Sequence, residues 1–373
     1  MISPTPSAFD AHMMSIALMM ARRGLGLTAP NPSVGAVIVD EAASLVIARA
    51  VTAAGGRPHA ETLAIAHAGP LARGATLYVT LEPCSHHGQT GPCADAIIAA
   101  GIARVVVATE DPDPRVAGRG LDRLRAAGIG VVRGVSSAEA RWIARGHIVR
   151  VTERRPFVTF KMALAADGRV PRGTDGAPQW VTGAIARAHG QLLRARSDAI
   201  LVGAGTVRDD DPQLTCRLPG LTKRSPVRVV LARDLAVSQD CKLAKTARCV
   251  PVWLMCGAAA DQARRACLEA KGCQAITVGE VGGQLWLPSV MEALVARGVT
   301  RLLVEGGPTI WRAFADASLV DEVALFMAGR CANTAMAALG QHLGDAPIAV
   351  FDETQLGPDT LWRLRRTGLW QSA

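Results

Sequence analysis

The chain has 373 residues, of which 49% are hydrophobic and 20% are charged. At roughly 150 residues per domain, this length predicts two domains, and the hydrophobic fraction excludes a disordered chain. The net charge of +9 favours anionic ligands, but the arginines are scattered, without the basic run that is typical of a nucleic-acid-binding tail.

The cysteines and the first residues argue against secretion. The nine cysteines are an odd number, and seven of them lie in the second half without regular spacing. No basic residue precedes the first apolar stretch, and Asp10 and His12 interrupt it, so we expect no signal peptide. No apolar run reaches the roughly 18 residues of a membrane span. The sequence therefore predicts a protein of the reducing cytoplasm.

In the first half, short apolar strands alternate with helical stretches. The apolar spacing predicts helices at Phe9–Arg22, Ala60–Ala68, Gly91–Ala100 and Gly120–Ala127, and strands at Val34–Asp40, Ala75–Pro83 and Ala103–Pro114. Such alternation indicates a layered α/β domain.

Near residue 150 the pattern changes. The charged segment Arg150–Phe157 contains a proline and predicts a short linker, which divides the chain into domains 1–150 and 151–373. The second part also alternates strands and helices, with strands predicted at Phe157–Met162, Asp198–Val202, Val227–Leu231, Val250–Met255, Ala275–Val278 and Arg301–Val304. It is therefore a second α/β domain.

Two segments of the first domain carry residues that suit a catalytic metal site. His59 and Glu61 open a predicted helix, Cys84 follows Pro83, and Cys93 opens the next helix. One imidazole and two thiolates are three good ligands for Zn²⁺, and a fourth position is left open for water. Zinc lowers the pKa of that water and yields a hydroxide nucleophile, while Glu61 could carry the proton to a departing amine. His-x-Glu together with Pro-Cys is typical of zinc-dependent nucleobase deaminases.

Each of these motifs is uninformative by itself. A lone His-x-Glu or Pro-Cys is common in ordinary buried turns. The order of the three motifs, each beside a strand end or a helix start, favours the catalytic site. His86 and His87 lie between the cysteines, where they could shape the loop or contact a substrate.

The spacing between the two cysteines points to one kind of deaminase. Cytidine and tRNA-adenosine deaminases usually have two residues there, whereas this chain has eight, SHHGQTGP. That spacing resembles the deaminase domain of the bifunctional riboflavin-biosynthesis deaminase/reductase family. The same resemblance extends to NPSVGAVIVD from Asn31, GGRPHAET from Gly55, TLEPCSHHGQTGPC from Thr80 and EDPDPRVAGRG from Glu110. It implies a cytidine-deaminase-like three-layer α/β/α domain.

The resemblance also assigns roles in the first domain. It implies that Asn31 contacts the pyrimidine ring and that Asp111 and Asp113 lie in the substrate-binding loop. It keeps His59, Cys84 and Cys93 as zinc ligands and Glu61 as the proton carrier. Two positions depart from the family pattern: Thr52 stands where many relatives have histidine, and Gln89 where they have lysine or arginine. The second change removes a positive charge that could meet a substrate phosphate.

The second domain lacks the G-x-G-x-x-G fingerprint of a Rossmann fold. It has two glycine-bearing segments after strands, ILVGAGTVRDDDPQLTCR from Ile200 and LLVEGGPTIWRAF from Leu302. In each, small residues would let the backbone approach a ligand, and the helix start at Pro308 offers free N–H groups to a phosphate. Each segment alone could also be an ordinary strand-to-helix turn. Taken singly, either segment is therefore open to both interpretations, a ligand-binding segment or an ordinary turn.

Together with FVTFKMALAADGRV from Phe157, PQWVTG from Pro178 and LLRARSDAILVGAGTV from Leu192, these segments resemble the reductase domain of the same family. The resemblance implies a dihydrofolate-reductase-like α/β fold. It implies that the ribosyl-phosphate substrate is bound by Arg194, Leu214, Arg217 and Glu305. It implies that NADPH is bound by Ala163, Trp180, Thr206, Asp210, Gly307, Pro308, Thr309, Ile310, Trp311, Arg312 and Ala313. Ala165 and Pro178 depart from the hydroxyl-bearing residues of many relatives.

The sequence thus predicts a bifunctional enzyme of riboflavin biosynthesis that uses Zn²⁺ and NADPH. The first domain would deaminate 2,5-diamino-6-ribosylamino-4(3H)-pyrimidinone 5′-phosphate, and the second would reduce the ribosyl group to a ribityl chain. The resemblance implies a homo-oligomer, a dimer or tetramer, with small phosphorylated pyrimidines rather than nucleic acid or membrane as partners. Two alternatives remain: a nucleic-acid-editing deaminase, which the positive charge favours, and a zinc-stabilised binding module without activity, against which Glu61 argues.

Overall fold

The structure is a computed structural model that describes residues 6–86, 88, 91–170, 182–329 and 332–369. It divides into two compact units, Met1–Arg155 and Pro156–Ala373. None of the helices in these described ranges has the length and apolar character that a membrane span requires.

The first unit contains five helices and five strands. Its helices are α1 (Ala8–Gly24), α2 (Ala60–Ala68), α3 (Cys93–Ala99), α4 (Arg119–Ala126) and α5 (Ser137–Thr152). Its strands are β1 (Gly35–Asp40), β2 (Leu45–Val51), β3 (Thr76–Val79), β4 (Arg104–Val107) and β5 (Gly130–Arg133). The sheet order is β2-β1-β3-β4-β5, with β1 antiparallel to both neighbours and β3, β4 and β5 parallel.

Helices cover both faces of this sheet. One apolar cluster packs α1 and α5 against one face, and another packs α2, α3 and α4 against the other. Strands that are covered on both sides are mostly apolar along their length, as in β3 and β4. The predicted three-layer α/β/α arrangement is confirmed.

The second unit contains a larger mixed sheet. Its helices are α6 (Ala184–Ala195), α7 (Ala204–Asp210), α8 (Lys242–Lys245), α9 (Gln262–Ala270), α10 (Leu287–Ala296), α11 (Pro308–Asp316) and α12 (Ala332–Leu343). Its strands are β6 (Phe157–Leu164), β7 (Ala199–Gly203), β8 (Val227–Leu231), β9 (Val252–Cys256), β10 (Gln274–Thr277), β11 (Glu280–Val281), β12 (Gln284–Leu285), β13 (Arg301–Val304), β14 (Glu322–Ala328), β15 (Ile348–Leu356) and β16 (Asp359–Arg366).

The nine-stranded sheet has the order β10-β9-β8-β7-β13-β6-β14-β16-β15. All pairs are parallel except those of β16 with β14 and β15. After β6 the chain moves outward through β7 to β10, and it then returns to insert β13 between β7 and β6. Ligands of open α/β sheets bind beyond the carboxyl ends of strands at such a reversal.

Several elements differ from the predictions. Helix α5 continues through Thr152, into the segment predicted to be a linker, because its apolar residues pack on the first sheet. The strands that were not predicted are β2, β5, β11, β12, β14, β15 and β16. β15 lies at the sheet edge and half of its residues face solvent, so it lacks the apolar run that marks a buried strand.

Candidate active sites

The fold brings the three predicted metal ligands together. His59 immediately precedes α2, Cys84 lies in the loop after β3, and Cys93 is the first residue of α3. The His59 Nδ1 atom lies 3.3 Å from Cys93 Sγ and 3.7 Å from Cys84 Sγ, and all three ligand atoms lie within 4.8 Å of one another. The elements that carry them are separated in sequence, but they converge at one end of the sheet.

The chemistry of this donor set fits zinc. One imidazole and two thiolates leave one tetrahedral position for water, which is the arrangement of a catalytic zinc site. The Cys93 side chain hydrogen-bonds to Cys84 and lowers the pKa of the Cys84 thiol to about 4, and the Cys93 backbone N–H donates to the same sulfur at 3.3 Å. The same sulfur–sulfur contact and burial raise the pKa of Cys93. Zinc binding requires both thiols to be deprotonated, so it would release protons from this pair.

Glu61 is the second residue of α2, two residues after the metal ligand His59, and is 3% exposed. Burial and then the negative charge of Cys84 raise the pKa of Glu61 to about 7, against the opposing charge of His59. A carboxyl group with such a pKa accepts and releases protons at neutral pH, which is the property required of a proton carrier.

Asn31 lies beside the metal ligands, as predicted for a substrate contact. Its Nδ2 atom donates to the Gly56 carbonyl at 2.8 Å and lies 3.4 Å from His59 Nε2. Thr52, one of the departures from the family pattern, has a structural role: its hydroxyl accepts a hydrogen bond from the Val34 N–H at 3.0 Å. It therefore stabilises the start of β1.

The predicted substrate loop is held by internal hydrogen bonds. The Asp111 carboxylate accepts from the Asp113 N–H at 2.9 Å and from His147 Nε2 at 3.0 Å. The Asp113 carboxylate accepts from the Arg115 guanidinium, which lowers the pKa of Asp113 to about 2 despite partial burial. Both side chains are mostly buried, so they support the loop through these contacts.

Gln89, the second departure in this unit, lies outside the described residues, as does His87. A cation is nevertheless close to their loop. A Cβ atom on Gly88 would lie 3.4 Å from Arg57 Nη2, and the charge of Arg57 acts on His59. A guanidinium group thus lies beside the loop between the two cysteines.

In the second unit, Arg194 and Glu305 form a buried ion pair. Arg194 Nε and Nη2 each donate to a different Glu305 carboxylate oxygen at 2.8 Å, and Nη1 donates to the Thr215 carbonyl at 3.0 Å. Burial alone would raise the pKa of Glu305, but the charge and hydrogen bonds of Arg194, together with the charges of Lys161 and Arg217, lower it. The sequence predicted both residues as substrate contacts but not their pairing.

Lys161 is a residue of this site that the sequence analysis missed. It lies on β6, on the face opposite the apolar residues, and Gly190 of α6 packs near its side chain. Burial lowers the pKa of Lys161, and the neighbouring charges are Glu305 and Arg194. Within the described part of the chain it forms no salt bridge. A single lysine in the apolar strand FVTFKMAL was the signal that could have identified it.

Leu214 and Arg217 lie on the segment after α7, next to this cluster. Leu214 is buried and has a φ of 54°, in the left-handed region, so the chain turns sharply there. The Arg217 N–H donates to Gln191 Oε1 at 2.8 Å, and the charge of Arg217 acts on Glu305. Three cations and one carboxylate therefore face this region, a balance that suits a phosphate.

The two predicted cofactor segments are neighbours in space. β7 leads into α7 at Gly203, and β13 leads into α11 at Gly307. A Cβ atom on Gly203 would lie 3.3 Å from Ile310, and one on Gly306 would lie 2.7 Å from it, whereas one on Gly307 would meet nothing within 4 Å. The backbone at Gly307 and the first N–H groups of α11 thus have room for a ligand group such as a phosphate.

The remaining predicted cofactor residues differ in placement. On α7, Thr206 is half-buried and Asp210 is exposed. Ala163 lies near the end of β6, and Ala165 follows that strand. Pro308, Thr309 and Ala313 are on α11. The Trp311 side chain packs into the hydrophobic core at 4% exposure, and Arg312 forms a surface pair with Asp316 at 3.0 Å, so neither side chain points to the strand ends. Trp180 and Pro178 lie outside the described residues.

Two family models match the chain. Residues 7–109 match the cytidine and deoxycytidylate deaminase zinc-binding region, and residues 156–331 match the RibD C-terminal domain. The chain is 38% identical to the riboflavin biosynthesis protein RibD of Bacillus amyloliquefaciens, over 94% of each chain. It is 37% identical to RibD of Escherichia coli strain K12, over 95% of this chain and 99% of the relative.

Solved structures give the same result. A structure of Acinetobacter baumannii RibD is 32% identical, with a TM-score of 0.81, over 96% of this chain and 99% of that one. A diaminohydroxyphosphoribosylaminopyrimidine deaminase/5-amino-6-(5-phosphoribosylamino)uracil reductase from Thermotoga maritima is 33% identical, with a TM-score of 0.80, at the same coverage. The predicted fold class of both units is confirmed.

Proposed function

The chain belongs to the RibD family of riboflavin biosynthesis proteins, and from this premise we propose how its two units act on one pyrimidine. It is a bifunctional enzyme, with a zinc-dependent deaminase in the first unit and an NADPH-dependent reductase in the second. The observation that carries the first activity is the convergence of His59, Cys84 and Cys93 beside the buried Glu61 carboxyl group.

The first unit hydrolyses the 2-amino group of 2,5-diamino-6-ribosylamino-4(3H)-pyrimidinone 5′-phosphate. Zinc held by His59, Cys84 and Cys93 supplies Lewis-acid activation of the attacking water. The water oxygen bonds to the amino-bearing carbon, the C–N bond breaks, and ammonia leaves. Glu61 takes the proton from the water and gives it to the departing nitrogen, which its pKa of about 7 supports.

In this unit, the residues around the metal ligands orient the substrate. The Asn31 side chain is held beside His59 by the Gly56 carbonyl, where its amide would contact the pyrimidine ring. Asp111 and Asp113 set the shape of the substrate loop. Arg57, beside the loop between the cysteines, would meet the phosphate in place of the charge that Gln89 lacks.

The second unit reduces the ribosyl group of the deaminated product to a ribityl chain. Ala163, Trp180, Thr206, Asp210 and the Gly307–Ala313 segment would hold NADPH, which would supply a hydride to C1′. The bond between C1′ and the ring oxygen breaks, and that oxygen takes up a proton. Lys161, with its lowered pKa and its position beside Glu305, is suited to hold this proton. Arg194, Leu214, Arg217 and Glu305 orient the ribosyl phosphate.

We further propose that the enzyme is a homo-oligomer, a dimer or tetramer, of the cytoplasm. The eight cysteines among the described residues are all free, which fits a reducing compartment. Its substrates are small phosphorylated pyrimidines.

Product analysis in single turnovers tests the two activities and their order. The zinc-loaded wild type should release ammonia from the diaminopyrimidinone without NADPH, and should oxidise NADPH only when the deaminated product is present. Glu61→Gln at equal zinc content should do neither with the diaminopyrimidinone, yet should still reduce deaminated material. A zinc-loaded wild type that releases no ammonia would refute the substrate assignment.

A further inference from the structure

The carboxylate of Glu82 is buried two residues before the metal ligand Cys84, and the proposed deamination does not use it. Glu82 is 3% exposed and forms no salt bridge within the part of the chain that the structure describes. Four backbone N–H groups compensate its charge instead. Oε2 accepts from Gly118 at 3.0 Å and Asp111 at 3.3 Å, and Oε1 accepts from Gly120 at 3.0 Å and Leu121 at 3.4 Å.

These four N–H groups belong to the two ends of a single segment. Asp111 begins the predicted substrate loop, Gly118 ends it, and Gly120 and Leu121 are in the first turn of α4. One carboxylate thereby closes the loop at both ends and stabilises the start of the following helix, where a negative charge is favoured. The Glu82 N–H also donates to the Thr109 carbonyl at 3.0 Å, just before the loop.

The loop is in direct contact with the backbone that leads to the metal ligand. A Cβ atom on Gly120 would lie 2.1 Å from the Pro83 carbonyl oxygen, so only glycine permits this approach. Ser85 Oγ lies 3.4 Å from the Arg115 carbonyl oxygen on the other side of Cys84. Any shift of Glu82 would therefore move the substrate loop relative to the metal ligands.

His147 of α5 holds the same loop from a second direction. Its Nε2 donates to Asp111 Oδ1 at 3.0 Å, and its Nδ1 atom is buried without a hydrogen-bond partner in the described structure. The loop is thus tied to the metal-binding loop through Glu82 and to α5 through His147.

We propose that Glu82 is a positioning residue that fixes the 111–118 loop against the metal-binding loop and thereby sets the affinity of the deaminase for its substrate. The proposal rests on the function proposed above for the first unit. It assigns Glu82 no part in the chemical step, since its oxygens are occupied by backbone donors.

Glu82→Gln tests this role with little change in side-chain shape. Its amide nitrogen cannot accept hydrogen bonds, so about half of the four contacts are lost together with the charge. In the zinc-loaded enzyme, KM for the diaminopyrimidinone phosphate should rise about tenfold while kcat changes less than about twofold. Zinc content should remain that of the wild type. Loss of zinc, or a fall in kcat at unchanged KM, would overturn the proposal.

Two further variants guard against a general loss of stability. Asp198→Asn removes a buried carboxylate of the second unit that accepts from Thr300 and Arg301, and it should leave the deaminase KM unchanged. His147→Phe keeps a ring on α5 but removes the contact with Asp111, and it should raise KM as Glu82→Gln does. A deaminase KM that rises equally in Asp198→Asn, or stays unchanged in His147→Phe, would overturn the proposal.

Amide hydrogen exchange of the substrate-free holoenzyme tests the anchoring without any activity assay. In Glu82→Gln, exchange should accelerate in the 111–121 segment and stay unchanged in α2. Unchanged exchange, or acceleration throughout the unit, would overturn the anchoring role. If the wild type itself does not deaminate, the proposed function fails, and the exchange result alone decides the role of Glu82.

Discussion

Replacing Arg194 with methionine should destabilise the second unit and abolish reduction, because the Glu305 carboxylate would remain buried without its main partner. The two side chains are 13% and 10% exposed, and the pair is bidentate, with both contacts at 2.8 Å. Methionine has a similar length and no charge, so it fills the space without replacing either contact.

The magnitude follows from burial. Removing one partner of a buried ion pair costs about 3–5 kcal/mol. Lys161 remains near Glu305 and offsets part of this cost, so we expect about 3 kcal/mol. For a unit of this size, that lowers Tm by about 6–12 °C. Adding Glu305→Gln should recover part of the loss, since the double variant no longer buries an unpaired carboxylate.

The effect should also depend on pH. Burial raises the pKa of Glu305, but the charge and hydrogen bonds of Arg194, with smaller effects of Lys161 and Arg217, bring it below its ordinary value of 4.5. Such a group stabilises the fold above the unfolded pKa, and this contribution is lost as the pH falls through the folded pKa. The difference in the free energy of unfolding between wild type and Arg194→Met should therefore be full at pH 7 and shrink below about pH 4.

Tryptophan fluorescence is a suitable probe, because six of the seven tryptophans lie in the second unit. Arg264→Met, which removes an exposed pair with Asp261, serves as the matched control and should leave the free energy of unfolding nearly unchanged. An Arg194→Met variant as stable as this control, or one that still reduces the deaminated product at the wild-type rate, would refute the reasoning.

Three other predictions concern the first unit. Removing zinc with a chelator should abolish ammonia release but leave NADPH-dependent reduction of deaminated substrate intact, because the three metal ligands all lie in the first unit. Parallel loss of both activities would contradict this prediction. Glu61→Gln should lower the deamination kcat by about a hundred- to ten-thousandfold at unchanged zinc content, and a loss of zinc instead would show that Glu61 supports the metal. Burial opposes ionisation of Asp10, but the hydrogen bonds from Arg104, Ser7 and Tyr78 together outweigh it and lower the pKa of Asp10. Asp10→Asn should therefore reduce the free energy of unfolding by about 1.5–3 kcal/mol at pH 7. Calorimetry should show that this difference becomes smaller below about pH 4, and a difference that grew there would contradict the prediction.

The sequence by itself determined the metal site and most of the buried strands. His59, Cys84 and Cys93 have side chains that are well suited to metal binding. His59 and Cys93 stand at helix starts and Cys84 follows a strand, positions that the local pattern reveals. Strands such as β8 and β13 are mostly apolar, with one arginine each, because both faces of a parallel sheet are covered. The predicted bounds of both were correct.

Only the tertiary structure decided which polar residues meet. Arg194 and Glu305 are 111 residues apart, and Glu82 contacts a loop 29 to 39 residues away, so no local pattern records either contact. The edge strand β15 and the helix α5 were missed because their residues mix polar and apolar types, and pairing and packing select their conformation. Local chemistry thus identified the metal ligands, whereas the positions of Lys161, Glu82 and His147 depend on long-range contacts that exist only in the folded chain.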